Sequence, residues 1–328
     1  MKRSIQLRFN CLLALVFALT VSCESSGPKP AKTVKTVAFI TNTTSDFWKI
    51  ARKGVEKADA ELADVTVAFK TTNTGAIEEQ NRHILQSLDR DEADAIAISP
   101  IDSAGQRTLI NTTAKRVPVI THDSDAADSD RVLYLGADNR AAGRQAGDLI
   151  KKALPQGGKI MVFVGRAEVQ NARERFEGLK ESLQGSKVEV IDLMTDDANP
   201  TRARENAYQT FKKYPDIAGM VGLWSYNGPA ILQALRPEGA LGKIKIVCFD
   251  DDRETLAGIK EGAIFGTVAQ QPFEYGYQTV QAAARILRGD RSVVPESKTI
   301  LIPTVVVQRS DVDEFSKKLN QLLGGTPG

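Results

Sequence analysis

Carboxylates, carboxamides, an arginine pair and aromatic rings recur in this chain at one kind of place, directly after short apolar runs. After Val37–Thr41 come Asn42, Ser45, Asp46, Phe47 and Trp48; after Val117–Thr121 come His122, Asp123, Ser124 and Asp125. Arg173 and Arg175 follow the run Lys159–Val164, and Trp224, Tyr226 and Asn227 follow Met220–Leu223. Asp250–Asp252 stand after Ile244–Phe249, and Gln270 and Gln271 after Ile264–Ala269. Such a set suits a ligand rich in hydroxyls. Carboxylates and amides take adjacent hydroxyls, a guanidinium donates in a plane, and an aromatic ring covers an apolar C–H face. Taken singly, each residue has a plainer reading: Ser45, Asp102 and Asp252 fit helix caps, and Phe47, Trp48 and Trp224 fit a core. The shared position points to binding.

Bond-making chemistry finds no foothold. There is no G-x-S-x-G elbow, no G-x-x-x-x-G-K-[ST] phosphate loop and no G-x-G-x-x-G fingerprint. His122 beside Asp123 has no nucleophile partner, and 2 His with 3 Cys leave little material for a zinc site. Neither a metal, a cofactor nor an enzyme activity is expected.

The elements that must position these groups alternate. Eleven β-branched runs, from Val37–Thr41 to Thr299–Val307, are near-continuous in hydrophobicity, as parallel strands covered on both faces should be. Between them lie amphipathic stretches; in Asp46–Leu62 the residues Ala51, Val55, Ala58 and Leu62 make one buried stripe. Strand and helix in alternation predict an α/β fold with right-handed crossovers, and eleven runs fit two doubly wound parallel-sheet lobes better than one. In such lobes ligands sit where strands lead into helices. One helix is expected between Asp311 and the frayed end at Gly328.

The chain has 328 residues, 42% hydrophobic and 26% charged, enough to build a sizeable core over about two domains. Residues 1–22 have a basic start, an apolar run and a small-residue end, the layout of a secretory signal. Leu19-Thr20-Val21-Ser22-Cys23 resembles a bacterial lipobox, which implies a lipid on Cys23 and a tether over 23–35. Removing Lys2, Arg3 and Arg8 from the 43 basic residues leaves 40 against 41 acidic ones. That near-neutral balance argues against a nucleic-acid partner. Cys11 leaves with the signal and Cys23 is modified, so Cys248 stands alone as a small buried hydrophobe.

From about Thr36 to Val307 the chain resembles the periplasmic sugar-binding proteins of the ribose/galactose type, the ligand-binding components of ABC importers. The resemblance rests on TVAFITNTTSDFW, VPVITHDSD, NARERFEGL, LWSYNGPAILQAL, VCFDDD and GTVAQQP. It implies that Asn42, Asp46, Phe47, Trp48, Asp123, Arg175, Asn227, Asp250 and Gln270 meet the ligand, with Ser45 an alternative to Asp46 and Arg173 to Arg175. It also implies a type I periplasmic binding protein fold whose chain crosses a hinge three times, near Ala137–Asn139, Gln270–Pro272 and Lys298–Ile300. Lobe one then holds 36–137 and 271–298, lobe two 138–270 and 299–312, and 313–328 form a tail. The implied partners are a small sugar or polyol, the membrane permease of an ABC importer, and the membrane through the lipid. A lipoprotein sensor presenting a sugar or an autoinducer-2-like ligand to a signalling receptor is the alternative. Ser124 stands where ribose-binding members carry Arg, and an aromatic is absent near Ala198; both argue against ribose itself.

Overall fold

The computed structural model describes residues 34–90 and 92–323. The expected leader 1–22, Cys23 and the tether through residue 33 lie outside the described residues, as do residues 324–328 of the tail. The first half runs β1 (Lys35–Ile40), α1 (Asp46–Glu61), β2 (Val65–Lys70), α2 (Ile77–Asp89), β3 (Ala95–Ile98), α3 (Arg107–Ala114), β4 (Val119–His122) and β5 (Leu133–Gly136). The alternation continues through α4 (Asn139–Ala153), β6 (Gly158–Val164), α5 (Gln170–Leu183), β7 (Val188–Thr195), α6 (Pro200–Lys213) and β8 (Ile217–Gly222). After these come α7 (Asn227–Leu235), β9 (Lys245–Phe249), α8 (Arg253–Glu261) and β10 (Gly266–Ala269). Then follow α9 (Pro272–Leu287), β11 (Thr299–Leu301), β12 (Val305–Val307) and α10 (Val312–Leu322).

Among the described residues the strands form two six-stranded sheets, ordered β11-β5-β4-β3-β1-β2 and β12-β10-β9-β8-β6-β7. Pairing is parallel throughout except for β10 with β12. The two orders are the same pattern twice. In each, the chain steps outward from the central strand (β1 or β6) and then returns to its other side, leaving a switch point beside that strand. Strands such as β3 and the last four residues of β9 are buried along their length, with apolar clusters on both faces of each sheet. That double burial is why they read as unbroken apolar runs. Cys248 lies within β9, fully buried, and burial pushes its thiol pKa upward.

Two boundaries differ from the sequence expectation. Lys35 already stands opposite Val65, so the sheet begins inside the expected 23–35 tether. The third crossing moves as well. Thr299–Leu301, expected in the second lobe, instead pairs with β5 in the first sheet, and the chain changes sheets at residues 302–304. Pro303 has no N–H to give to a ladder, so the run 299–307 breaks there into two short strands.

Facing glycines let one helix pair press together on each sheet. A Cβ on Gly54 of α1 would stand 1.9 Å from the carbonyl oxygen of Phe273 in α9, and one on Gly276 2.1 Å from that of Ala51. In the second half, Gly143 of α4 faces the Arg175 carbonyl at 2.1 Å and Gly178 of α5 faces that of Arg140 at 2.0 Å. The α4–α5 contact therefore fixes where the backbone of Arg175 lies. Gly143→Ala is expected to force the two helices apart, costing about 1–3 kcal/mol as an overpacked contact does. Urea denaturation reads this as a lower midpoint; an unchanged midpoint would show that the helices separate freely.

Candidate functional site

Two aspartates occupy equivalent places at the carboxyl ends of the two sheets. Asp123 follows β4 and Asp250 follows β9, and both have left-handed backbones, with φ of 60° and 65°. Each donates its N–H across to the neighbouring strand, Asp123 to Leu135 O at 3.0 Å and Asp250 to Val268 O at 2.9 Å. Left-handed geometry costs a non-glycine residue about 1–2 kcal/mol, and Asp tolerates it better than most. Repeating that cost at both strand ends aims two carboxylates out of the sheets.

The first lobe holds Asp123 from several elements. Ser99, after β3, donates Oγ–H to Asp123 Oδ2 at 2.7 Å, and Asn42, after β1, donates Nδ2–H to the same oxygen at 3.2 Å. Trp48 donates its indole N–H to Asn42 Oδ1 at 2.9 Å. Trp48 is buried, edge-on to Phe39, Phe47 and His122, so it is a support of the site and part of the core. Phe47 is the less buried ring of the two, edge-on to Tyr275 at 6.0 Å. Asp46 takes another direction. It pairs with Lys49 at 2.7 Å and, with Ile50, Asp251 and residues of α8 and α10, lines a groove of about 390 Å³. Ser45 occupies the N-cap position of α1 without a side-chain capping bond.

On the second sheet, Arg175 is almost fully buried. It donates Nε–H to Asn139 Oδ1 at 3.0 Å and an Nη1–H to Leu223 O at 2.8 Å, and its guanidinium lies 4.6 Å from the Phe249 ring centre. Its charge reaches both Asp123 and Asp250. Arg173, by contrast, is exposed and donates to Glu168 O at 3.0 Å, away from the pair. Gln270 donates Nε2–H to Asp250 Oδ1 at 2.8 Å and accepts the Tyr275 hydroxyl at 3.1 Å. Asp252 caps α8, accepting the Glu254 N–H at 2.9 Å. Asn227 is read from the sequence as a ligand amide, yet both ends of its amide hold internal partners. Its Oδ1 accepts the Trp224 N–H at 2.9 Å, and its Nδ2 donates to Asp196 Oδ2 at 3.2 Å.

The site thus sets a buried cation within electrostatic range of carboxylates from both sheets, with Asn42 and Gln270 amides on those carboxylates and Phe47 packed on Tyr275. The family profile described as "periplasmic binding protein domain" matches residues 37–291. The chain belongs to that family. The ribose import binding protein RbsB of Salmonella typhimurium is 29% identical over 285 residues, covering 85% of this chain and 93% of the relative. RbsB of Bacillus subtilis is 26% identical, covering 90% and 96%. Among solved structures, an ABC transporter solute-binding protein of Burkholderia graminis in complex with D-arabinose superposes with a TM-score of 0.79 at 26% identity, covering 87% of this chain and 98% of that one. GanP, a glucose-galactose binding protein of Geobacillus stearothermophilus, gives 0.79 at 25% identity, covering 85% and 98%. The two sheets are those of a type I periplasmic binding protein.

Several groups in this periplasmic binding protein escape a reading of strand ends alone. Ser99, Asn139, Asn171, Asp196 and Tyr275 all touch the residues above, and only their place in the loops after strands, or at the start of the next helix, hints at it. His122 reads as a polar strand-end residue, but it is fully buried and stacked on Phe39 at 4.1 Å. Burial pushes its pKa down to about 3, so it is neutral near pH 7.

Burial pushes Asp123 the other way, up to about 6, with Ser99 and Arg175 pulling back against it. A raised carboxylate pKa means that folding gains stability on acidification, fully present below the ordinary value of about 3.8 and lost as pH rises through 6. Relative to Asp123→Asn, the unliganded wild type is expected to gain about 3 kcal/mol between pH 8 and pH 4, from about two pKa units. Comparison with that variant cancels His122, whose depressed pKa has the opposite sign. Parallel denaturation curves at the two pH values check it; equal differences would mean Asp123 titrates as an ordinary carboxylate.

Proposed function

We propose that this chain is the substrate-binding component of a carbohydrate ABC importer, taking a sugar or sugar-like polyol between two lobes that close on it. The observation that carries the reading is the pair Asp123 and Asp250, presented by opposite sheets with Arg175 in electrical reach of both. A hydroxylated ring placed there donates to two carboxylates and accepts from one guanidinium while Phe47 covers its apolar edge. The relatives named above are import binding proteins, which favours import over the sensor reading.

In this reading lobe one comprises 35–137 and 271–301, and lobe two 138–270 and 305–312, with the third hinge strand at 302–304. A ligand that touches both walls meets them together only in the closed form, so its differential affinity supplies the closing free energy. Closure presents the composite surface that a permease reads. Thermal-shift screening against pentoses, hexoses, deoxysugars, polyols and autoinducer-2 tests the ligand class, since a ligand at 100 times its Kd adds about 2.7 kcal/mol to stability. The reading expects at least one such shift, with a smaller radius of gyration in X-ray scattering when that ligand saturates. A full panel without a shift would overturn it.

The lipid anchor belongs to the same proposal. Cys23 follows the apolar run and precedes the polar stretch Glu24–Lys32. Two acyl chains at that residue would hold the protein on the outer face of the membrane, one chain being marginal. Cys23→Ser is expected to move the protein from the membrane to the soluble fraction; wild-type protein that is already soluble would remove the anchor from the account.

A further inference from the structure

The chain has two tryptophans, and each gives its indole N–H to an asparagine whose amide nitrogen reaches the dipeptide Asp123–Ser124. In the first lobe, Trp48 Nε1 donates to Asn42 Oδ1 at 2.9 Å and Asn42 Nδ2 to Asp123 Oδ2 at 3.2 Å. In the second, Trp224 Nε1 donates to Asn171 Oδ1 at 3.1 Å and Asn171 Nδ2 to Ser124 Oγ at a longer 3.4 Å. The second line differs in kind, because it runs from one sheet to the other. Asn171 lies in the first turn of α5 and Trp224 just after β8, whereas Ser124 follows β4. The two rings differ as well. Trp48 is buried, while Trp224 is half-buried at the carboxyl edge of the second sheet. Trp224 packs over Gly165, where a Cβ would come within 1.9 Å of the indole, and edge-on to Tyr226 at 6.3 Å.

We propose that Trp224 is the second-lobe platform for the bound sugar and that Asn171 is its positioning residue, holding the indole within lobe two and joining it to Ser124 when the lobes close. This rests on the reading of the cleft as a sugar site. The glycine leaves room for the ring to press close on the strand end, and the indole N–H bond to Asn171 restrains its rotation. Ser124, which has no charge to desolvate, lets the asparagine approach from the opposite lobe. Closure then changes the surroundings of half-buried Trp224 far more than those of Trp48, which is buried within lobe one.

Tryptophan emission separates the two rings. With D-ribose, D-allose and D-arabinose as probes at saturating concentration, a sugar-induced emission change is expected to persist in Trp48→Phe and to be largely lost in Trp224→Phe. Persistence in Trp224→Phe with loss in Trp48→Phe overturns the proposal. Affinity is expected to fall about tenfold in Trp224→Ala and roughly three- to tenfold in Asn171→Ala and Ser124→Ala, the range of one aromatic contact or one hydrogen bond. Because Asn171 and Trp224 share a lobe, their bond is also tested without sugar. In the Trp48→Phe background, Asn171→Ala should red-shift the remaining emission and raise its quenching by acrylamide, whereas Asn171→Asp, which keeps an acceptor oxygen, should restore both. An unchanged spectrum in Asn171→Ala overturns the positioning role. Probes that leave wild-type stability and emission untouched count against the sugar reading itself, and the acrylamide result then decides the positioning role alone.

Discussion

Arg175→Met is expected to weaken sugar binding by about a hundredfold or more while the protein stays folded. Methionine keeps a stem to pack against Phe249, over which the guanidinium now lies at 4.6 Å. The substitution removes the donor to Leu223 O, the donor to Asn139 Oδ1 and the positive charge that faces two buried carboxylates. A hydrogen bond from a charged group contributes about 1.5–3 kcal/mol, and each stranded buried acceptor costs about 1–3 kcal/mol. One such bond to the sugar, lost with the sugar oxygen it served left unpaired, is of the size of the ~2.7 kcal/mol of a hundredfold change. Without the cation, Asp123 and Asp250 also stay protonated to higher pH, which removes acceptor oxygens from the site. Calorimetric titration beside a thermal melt separates the effects: near-wild-type affinity in a folded Arg175→Met would place binding elsewhere.

The second large effect concerns stability. Asp125 and Arg131 form a buried ion pair, with side-chain exposures of 8% and 6%. Arg131 holds both carboxylate oxygens, through Nε to Oδ1 and Nη2 to Oδ2, and its Nη1 donates to Lys298 O at 2.7 Å. Thr121 Oγ1 donates to Asp125 Oδ1 at 2.6 Å and the Ala126 N–H at 2.7 Å. One ion pair thus ties the loop that carries Asp123 to the segment leading into β11. Arg131→Ala strands the Asp125 charge and should cost about 3–5 kcal/mol, a fall in Tm of roughly 10 °C for a lobe of this size. Asp125→Leu with Arg131→Met should recover much of that loss, because removing both charges also removes their desolvation cost. A single variant that melts with the wild type would show that the pair contributes nothing.

The architecture was legible because both faces of each sheet are covered, which writes a parallel strand into the sequence as an unbroken apolar run. The same property hid the division at Pro303: apolar residues continue through 299–307, and only pairing partners show that Thr299 faces Tyr134 while Val305 faces Ala269. Strand ends gave Asp123, Asp250 and Gln270 their neighbourhood for the same topological reason, whereas Arg175, inside α5, came from the family resemblance. Side-chain direction was not available from spacing. Asp46 and Phe47 are adjacent, yet the first turn of α1 sends Asp46 to Lys49 and Phe47 toward Tyr275. Phe47 and Trp48 are both aromatic, and only their tertiary burial and the Asn42 acceptor show which is held inside. Asn227 and Asn171 are chemically alike, and tertiary partners decide that the first amide braces Trp224 and Asp196 while the second reaches Ser124.

The most direct test of a sugar bridging both lobes is calorimetric titration of wild type, Asp123→Ala and Asp250→Ala with whichever sugar raises the melting temperature most. One sugar per chain is expected for the wild type. Each variant should lose at least tenfold in affinity, since each removes a carboxylate from a different wall and a hydrogen bond to a charged group is worth more than the ~1.4 kcal/mol of that change. Full affinity in either folded variant would mean that the sugar is held by one lobe alone, and would contradict the account.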